Sequence, residues 1–227
     1  MKLSLSKEDL VKYICNQLNV FFPDGNNVIE GELLCSLDIA LERFCYCAQH
    51  IKQKSFKNHK GEVSFNHLHS DQYVMLLYFL SNSIYLNKGN IDIATKVYLL
   101  NKSLHGIDVF YEVNLPKIFL LVHPLGTVIG RGEFEDYLVI YQGCTVGGSF
   151  NSNNELSYPV LLGKNILYSN STILGESMLS ENSMISTNTV ILNRNVEQDK
   201  IVFGSSPNLI LKNNTKKHLE YFFDFNL

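Results

Sequence analysis

Leu161-Leu162-Gly163-Lys164-Asn165-Ile166-Leu167-Tyr168-Ser169-Asn170-Ser171-Thr172-Ile173-Leu174-Gly175-Glu176-Ser177-Met178-Leu179 is the stretch that decides the fold. Every sixth residue is aliphatic: Leu161, Leu167, Ile173 and Leu179, continuing through Ile185 and Ile191. Four places after each of the first five stands a small polar residue: Asn165, Ser171, Ser177, Ser183 and Thr189. A period of six is neither the 3.6 of a helix nor the 2 of a flat alternating strand. It fits a coil of three short strands. The aliphatic residue points into a narrow triangular interior and the small residue sits where the chain turns. Three hexads, about 18 residues, complete one coil, and hexapeptide β-helices are a recognised repeat class. Chance alternation in a Ser/Asn-rich sheet does not give six aliphatics at fixed spacing with five partners in phase.

A second register runs upstream through Val122, Val128, Phe134, Ile140 and Val146, out of phase with the first. Residues 147–160 separate the two and are too polar for the interior. They are expected to leave the coil as a protruding loop, the kind of segment that carries function on a rigid repeat.

Before residue 107 the period is helical. Ser6 is placed to cap a helix carrying Leu10, Val11, Ile14 and Leu18. Leu33, Leu37, Ala40, Phe44, Cys47 and Ile51 form a second stripe. Residues 52–69 are polar and read as loop. A third helix opens at Ser70 or Asp71 and stops at Asn87-Lys88-Gly89-Asn90. A fourth carries Ile93, Val97, Leu100 and Leu104. The expected class is α+β: a helical domain over 1–106, a parallel β-helix of hexapeptide repeats over 107–212, and a tail over 213–227.

Composition bounds the function. The chain has 227 residues, 45% hydrophobic and 18% charged, enough apolar content for a real core. A net charge of −3 argues against binding nucleic acid through a basic field. No apolar run is long enough to span a membrane, and the N-terminus does not read as a signal peptide. Cys15, Cys35, Cys45, Cys47 and Cys144 are odd in number and lack paired metal or redox spacing. They read as reduced thiols of a cytoplasmic protein, and no metal site is expected.

The β-region holds one histidine, His123, fifteen residues after Asp108. On the coil this puts the two on adjacent layers, where a carboxylate could fix the imidazole tautomer. Gly130-Arg131-Gly132 opens no helix, so it is no dinucleotide fingerprint.

The run from Gly106 to Gly148 resembles the serine acetyltransferase branch of the hexapeptide acyltransferases. It carries Gly106-Ile107-Asp108, Val122-His123-Pro124-Leu125-Gly126-Thr127-Val128-Ile129-Gly130 and Gln142-Gly143-Cys144-Thr145-Val146-Gly147-Gly148 in the family's order. The resemblance implies acetyl transfer from acetyl-CoA to a hydroxyl, with His123 as general base and Asp108 as its orienting partner. It implies a coenzyme lying along the coils between subunits, near Gly147, Gly148, Ser169, Ser171 and Thr187, with Lys200 and Lys212 as candidates for its phosphates. It also implies the left-handed coil and a homotrimer or dimer of trimers.

The acceptor positions depart from the family. Val122 stands where the family has an Asp, and Ser157-Tyr158-Pro159 where it has Arg-His-Pro. The charges that read serine are thereby missing, which favours a sugar or glycan hydroxyl as acceptor. Asn151, Asn153 and Ser157 would offer hydroxyl partners, and Tyr158 would stack on a pyranose or pack the loop. Arg131, or a lysine of a neighbouring subunit, is an alternative source of the missing cation. The rival readings are a serine O-acetyltransferase of cysteine biosynthesis and a non-catalytic β-helix scaffold or glycan-binding protein.

Overall fold

A computed structural model describes residues 1–227 and divides them into two compact units. The first comprises Met1–His105 with Phe110–Glu112 and Leu227; the second comprises Gly106–Val109 with Val113–Asn226.

The first unit contains α1 (Lys7–Phe21), α2 (Glu30–His50), α3 (Ser70–Leu86) and α4 (Ile91–His105). Ser6 caps α1, its side chain accepting from the Asp9 backbone N–H at 3.1 Å. The stripe from Leu33 to Ile51 is fully buried. α3 is buried on every side from Asp71 to Ile84 and packs against both α2 and α4. Leu104, expected in the core, is 39% exposed at the end of α4. The polar segment 52–69 is more ordered than expected. It holds a 3₁₀ turn at Lys54–Phe56 and a strand, Ser64–Phe65, parallel to Lys2–Leu3, and it buries Phe56 and Phe65.

The second unit is a left-handed parallel β-helix with three faces. One face stacks Asp108–Val109, Val128–Ile129, Thr145–Gly147, Thr172–Leu174 and Val190–Leu192. A second stacks Phe119–Val122, Leu138–Tyr141, Ile166–Leu167, Met184–Ile185 and the start of Lys200–Ser205. The third stacks Glu133–Phe134, Val160–Leu161 and Met178–Leu179, ending in a bridge to Val196. The six downstream aliphatics are at most 1% exposed, and each is worth about 1.5–3 kcal/mol when buried. Asn165, Ser171, Ser177, Ser183 and Thr189 are also buried. Most of these turns place the residue just before the small one in left-handed backbone: Lys164, Asn170, Asn182 and Asn188. Asparagine tolerates that conformation better than most residues, which accounts for its frequency here.

The upstream register needs correction. Val128 is 42% exposed, and its neighbour Ile129 pairs with Val146 in the interior. Likewise Leu121, not Val122, pairs with the interior Ile140. The five-residue turn at 123–127 adds residues that a strict count of six does not allow. The phase break has a matching cause: Ile140 pairs with Leu167 and Val146 with Ile173, steps of 27 residues where an undisturbed coil takes 18.

The last two strands, Lys200–Ser205 and Asn208–Asn213, form an antiparallel hairpin that ends the stack. The tail then folds back. Leu219, Phe222 and Phe223 are buried, and the Phe223 and Phe225 rings lie 5.5 and 4.6 Å from the Tyr137 ring.

Candidate functional site

Each coil has three corners, and two carry the residues of interest. The histidine corner follows the second face: 123–127, 142–144, 168–171 and 186–189. A line of backbone hydrogen bonds joins its rungs. Gly126 N–H donates to Gly106, Gly143 to Leu125, Asn170 to Gln142 and Asn188 to Ser169, at 2.9–3.1 Å. All four donors have positive φ. The corner is therefore fixed by backbone geometry.

His123 begins this corner, exposed and with φ +47, and its carbonyl accepts from Leu125 N–H at 2.7 Å. Asp108 lies one coil earlier. Its N–H donates to Thr127 at 2.9 Å, and it is in register with Val128. In that register Val109 and Ile129 face inward, so Asp108 and Val128 stand on the outer side of the face, beside the turn that carries His123. Val122 is buried and in register with Tyr141.

Further along the same corner, Ser169 Oγ and Thr187 Oγ1 stack 3.5 Å apart on successive coils. Ser171 is a correction. It has no exposed surface; its carbonyl accepts from Thr145, its N–H donates to Tyr168, and its hydroxyl meets Cys144 Sγ at 3.4 Å. It belongs to the turn and offers nothing to a ligand. Burial pushes the Cys144 thiol above its ordinary range, which keeps it protonated and unreactive. Cys15 and Cys47 are buried too, whereas Cys35 is exposed.

The hairpin corner lies at the other end of the first face: 130–132, 148–159, 175–177 and 193–195. Residues 147–160 are not irregular. Ser149–Phe150 pairs antiparallel with Leu156–Ser157, and Asn151 Oδ1 closes the tip by accepting from the Asn153 and Glu155 N–H groups. A methyl group on Gly148 would meet the Tyr158 ring at 2.9 Å, so that ring packs the root of the hairpin. Gly147 has open space beside it. Asn193, two coils on, donates from Nδ2 to the Phe150 carbonyl at 2.9 Å and accepts at Oδ1 from Glu176 N–H at 2.8 Å. Sequence reasoning missed Asn193; the signal was its place eighteen residues after Gly175, at the turn facing the loop.

Lys200 and Lys212 lie apart from both corners, on the terminal hairpin. Lys200 bonds Asn213 at 3.0 Å, and Lys212 lies 5.5 Å from the Phe203 ring centre. Three clefts, of about 550, 530 and 400 Å³, lie near the third corner and the tail; none is lined by His123, Asp108 or the hairpin.

No family model matches the chain. A serine acetyltransferase of Synechococcus elongatus is 28% identical over 118 residues, 52% of this chain and 48% of that protein. The chain thus matches about half the length of that curated relative. Among solved structures, a serine acetyltransferase in complex with CoA superposes with a TM-score of 0.67 at 16% identity, over 89% of this chain and 83% of that one. One in complex with cysteine gives 0.70 at 16%, over 92% and 81%. The Vibrio cholerae O1 biovar El Tor N16961 enzyme gives 0.67 at 17%, over 92% and 81%. In fold over most of its length, and in sequence over half of it, the chain is similar to the serine acetyltransferase branch of the hexapeptide-repeat acyltransferases.

Proposed function

We propose that the chain is an acetyl-CoA-dependent O-acetyltransferase whose acceptor is the hydroxyl of serine. The observation that carries this is the histidine corner, where His123, Ser169 and Thr187 stand on turns that one line of backbone bonds joins, in a fold similar to serine acetyltransferases. An elongated thioester laid along that corner meets exposed hydroxyls and the imidazole in sequence.

His123 takes the proton of the acceptor hydroxyl as its oxygen attacks the thioester carbonyl. Asp108 holds the imidazole tautomer and stabilises the imidazolium. The carbon–sulfur bond then breaks, and His123 returns the proton to the departing thiolate. The backbone beside Gly147 is open enough for a donor to approach the oxyanion.

A saccharide acceptor fits less well. The Tyr158 ring packs against Gly148, and Val122 is buried. The named likenesses, including the one complexed with cysteine, lie on the amino-acid side.

His123 and the hairpin occupy different corners, and the hairpin runs up its own corner to Asn193. A site that uses both draws them from two copies, so the assembly we propose is a homotrimer, alone or paired. Acetyl-CoA as substrate and cysteines that form no disulfide favour a cytoplasmic location. Thiol release from acetyl-CoA with L-serine, set against a panel of sugars, tests the acceptor. Saturable turnover with serine supports it; turnover with a sugar alone overturns it. Sedimentation equilibrium tests the assembly.

A further inference from the structure

The family's serine-reading cation is replaced by Ser157 and Tyr158, yet the hairpin corner does not lack positive charge. The chain has three arginines, Arg43, Arg131 and Arg194, and both arginines of the β-helical unit stand on this corner. Arg131 is exposed and lies one coil below the root of the hairpin. Its two neighbours define the place. Gly130 N–H donates to Val146 at 2.7 Å, and a methyl group on Gly130 would lie 3.5 Å from the Gly147 Cα. A methyl group on Gly132 would lie 2.9 Å from the Pro159 carbonyl. Arg131 is therefore flanked by the two points at which the hairpin leaves and rejoins the coil. Residues 145–163 contain no lysine or arginine of their own. Glu176, exposed on the next coil up, gives the same corner an anion. With Glu155 on the hairpin itself and Arg194 one coil beyond Glu176, the corner carries both signs of charge, which suits a zwitterion better than a neutral sugar or a polyphosphate.

We infer that Arg131 is the specificity residue for the acceptor carboxylate, in place of the cation the loop has lost. The inference rests on the serine reading above and names the residue that makes it possible. A guanidinium offers a planar pair of donors matched to a carboxylate, which a serine or tyrosine hydroxyl cannot.

The test is steady-state kinetics of the whole chain with acetyl-CoA and two acceptors, L-serine and L-serinamide. The amide keeps the hydroxyl and ammonium and loses the carboxylate charge. The wild type should prefer serine. Arg131→Gln should raise the KM for serine by roughly 10–100-fold, leave the KM for acetyl-CoA within about twofold, and abolish the preference over serinamide. Arg131→Lys, which keeps the charge and loses the fork, should recover part of the preference. If Arg131→Gln does not fold, the Arg131→Lys preference and the wild-type preference decide in its stead. An unchanged serine preference in Arg131→Gln or Arg131→Lys overturns the inference and leaves the serine reading intact. No wild-type turnover with serine overturns the reading and the inference together.

Discussion

Asn193 is hydrogen-bonded to Phe150 across 43 residues of chain, and it is the side chain that ties the tip half of the hairpin to the body of the β-helix. Its other end accepts from Glu176 N–H, so the carboxamide is used at both atoms. Asn193→Ala should free the hairpin without unfolding the prism: it removes two hydrogen bonds, each worth about 1 kcal/mol, and leaves alanine at φ +50, a strain of about 1 kcal/mol more. The expected outcome is faster proteolytic cleavage within 149–157 with a melting temperature lowered by roughly 5–10 °C and a cooperative transition retained. Gly175→Ala should do more harm: φ is +67 there, and a methyl group would collide with Asn193 Oδ1. An Asn193→Ala hairpin as resistant as the wild type would show that the bond does not hold it.

His123→Ala should abolish acetyl transfer while leaving the fold and CoA affinity in place. Asp108→Asn should lower turnover with CoA affinity nearly unchanged, since it disturbs the tautomer and not the binding surface. Thiol release and CoA titration by calorimetry check both. More than a few per cent of wild-type turnover in His123→Ala removes the general-base role.

Ile173 is fully buried between Val146 and Ile191. Ile173→Asp would put an unpartnered carboxylate in a dry, narrow interior, at a cost of several kcal/mol, a large share of a domain's stability. Insoluble or unfolded protein is expected. Ile173→Ala should cost roughly 2–5 kcal/mol and still fold. Wild-type melting of Ile173→Asp would contradict the interior register.

His105, at the end of α4, has its pKa lowered from 6.5 to about 4, chiefly by burial and against the opposing bond at Asn101. Its Nδ1 meets Asn101 Oδ1 at 2.8 Å. Between about pH 6.5 and 4 the unfolded chain binds a proton here that the folded chain does not. Stability therefore rises with pH across that window and is lost on acidification, by up to about 3 kcal/mol from this group. Urea denaturation at pH 7 and pH 5 should show a smaller drop for His105→Gln than for the wild type. Equal drops would mean that His105 does not contribute.

The interior of the downstream coils was legible because each position obeys one steric demand. Ile173 must fill the prism and Ser171 must fit the turn, and six residues separate one demand from its next occurrence. Val128 was misread because the His123 turn is longer than its neighbours, and local counting cannot know a turn's length. Ser171 was misread as a ligand position because the sequence marks it as small and polar, which a buried turn requires as well. Leu104 followed the helical stripe but lies past the point where α4 is covered. Asn193 lay outside reach because its partner, Phe150, becomes its neighbour only through the stacking of coils. The same holds for Tyr137 and Phe223.

The antiparallel hairpin at the end of the stack has a consequence for self-association. A parallel coil with a bare last rung is a template onto which another chain can add, and such growth has no natural limit. Here the strand Asn208–Asn213 reverses direction and occupies the free edge of Lys200–Ser205 along its full length. A second chain arriving in the direction of the coils finds an edge of the wrong polarity, bearing Lys212 and Asn213. The reversal gives the second face a last strand of opposite direction, which works against a further parallel rung being added there.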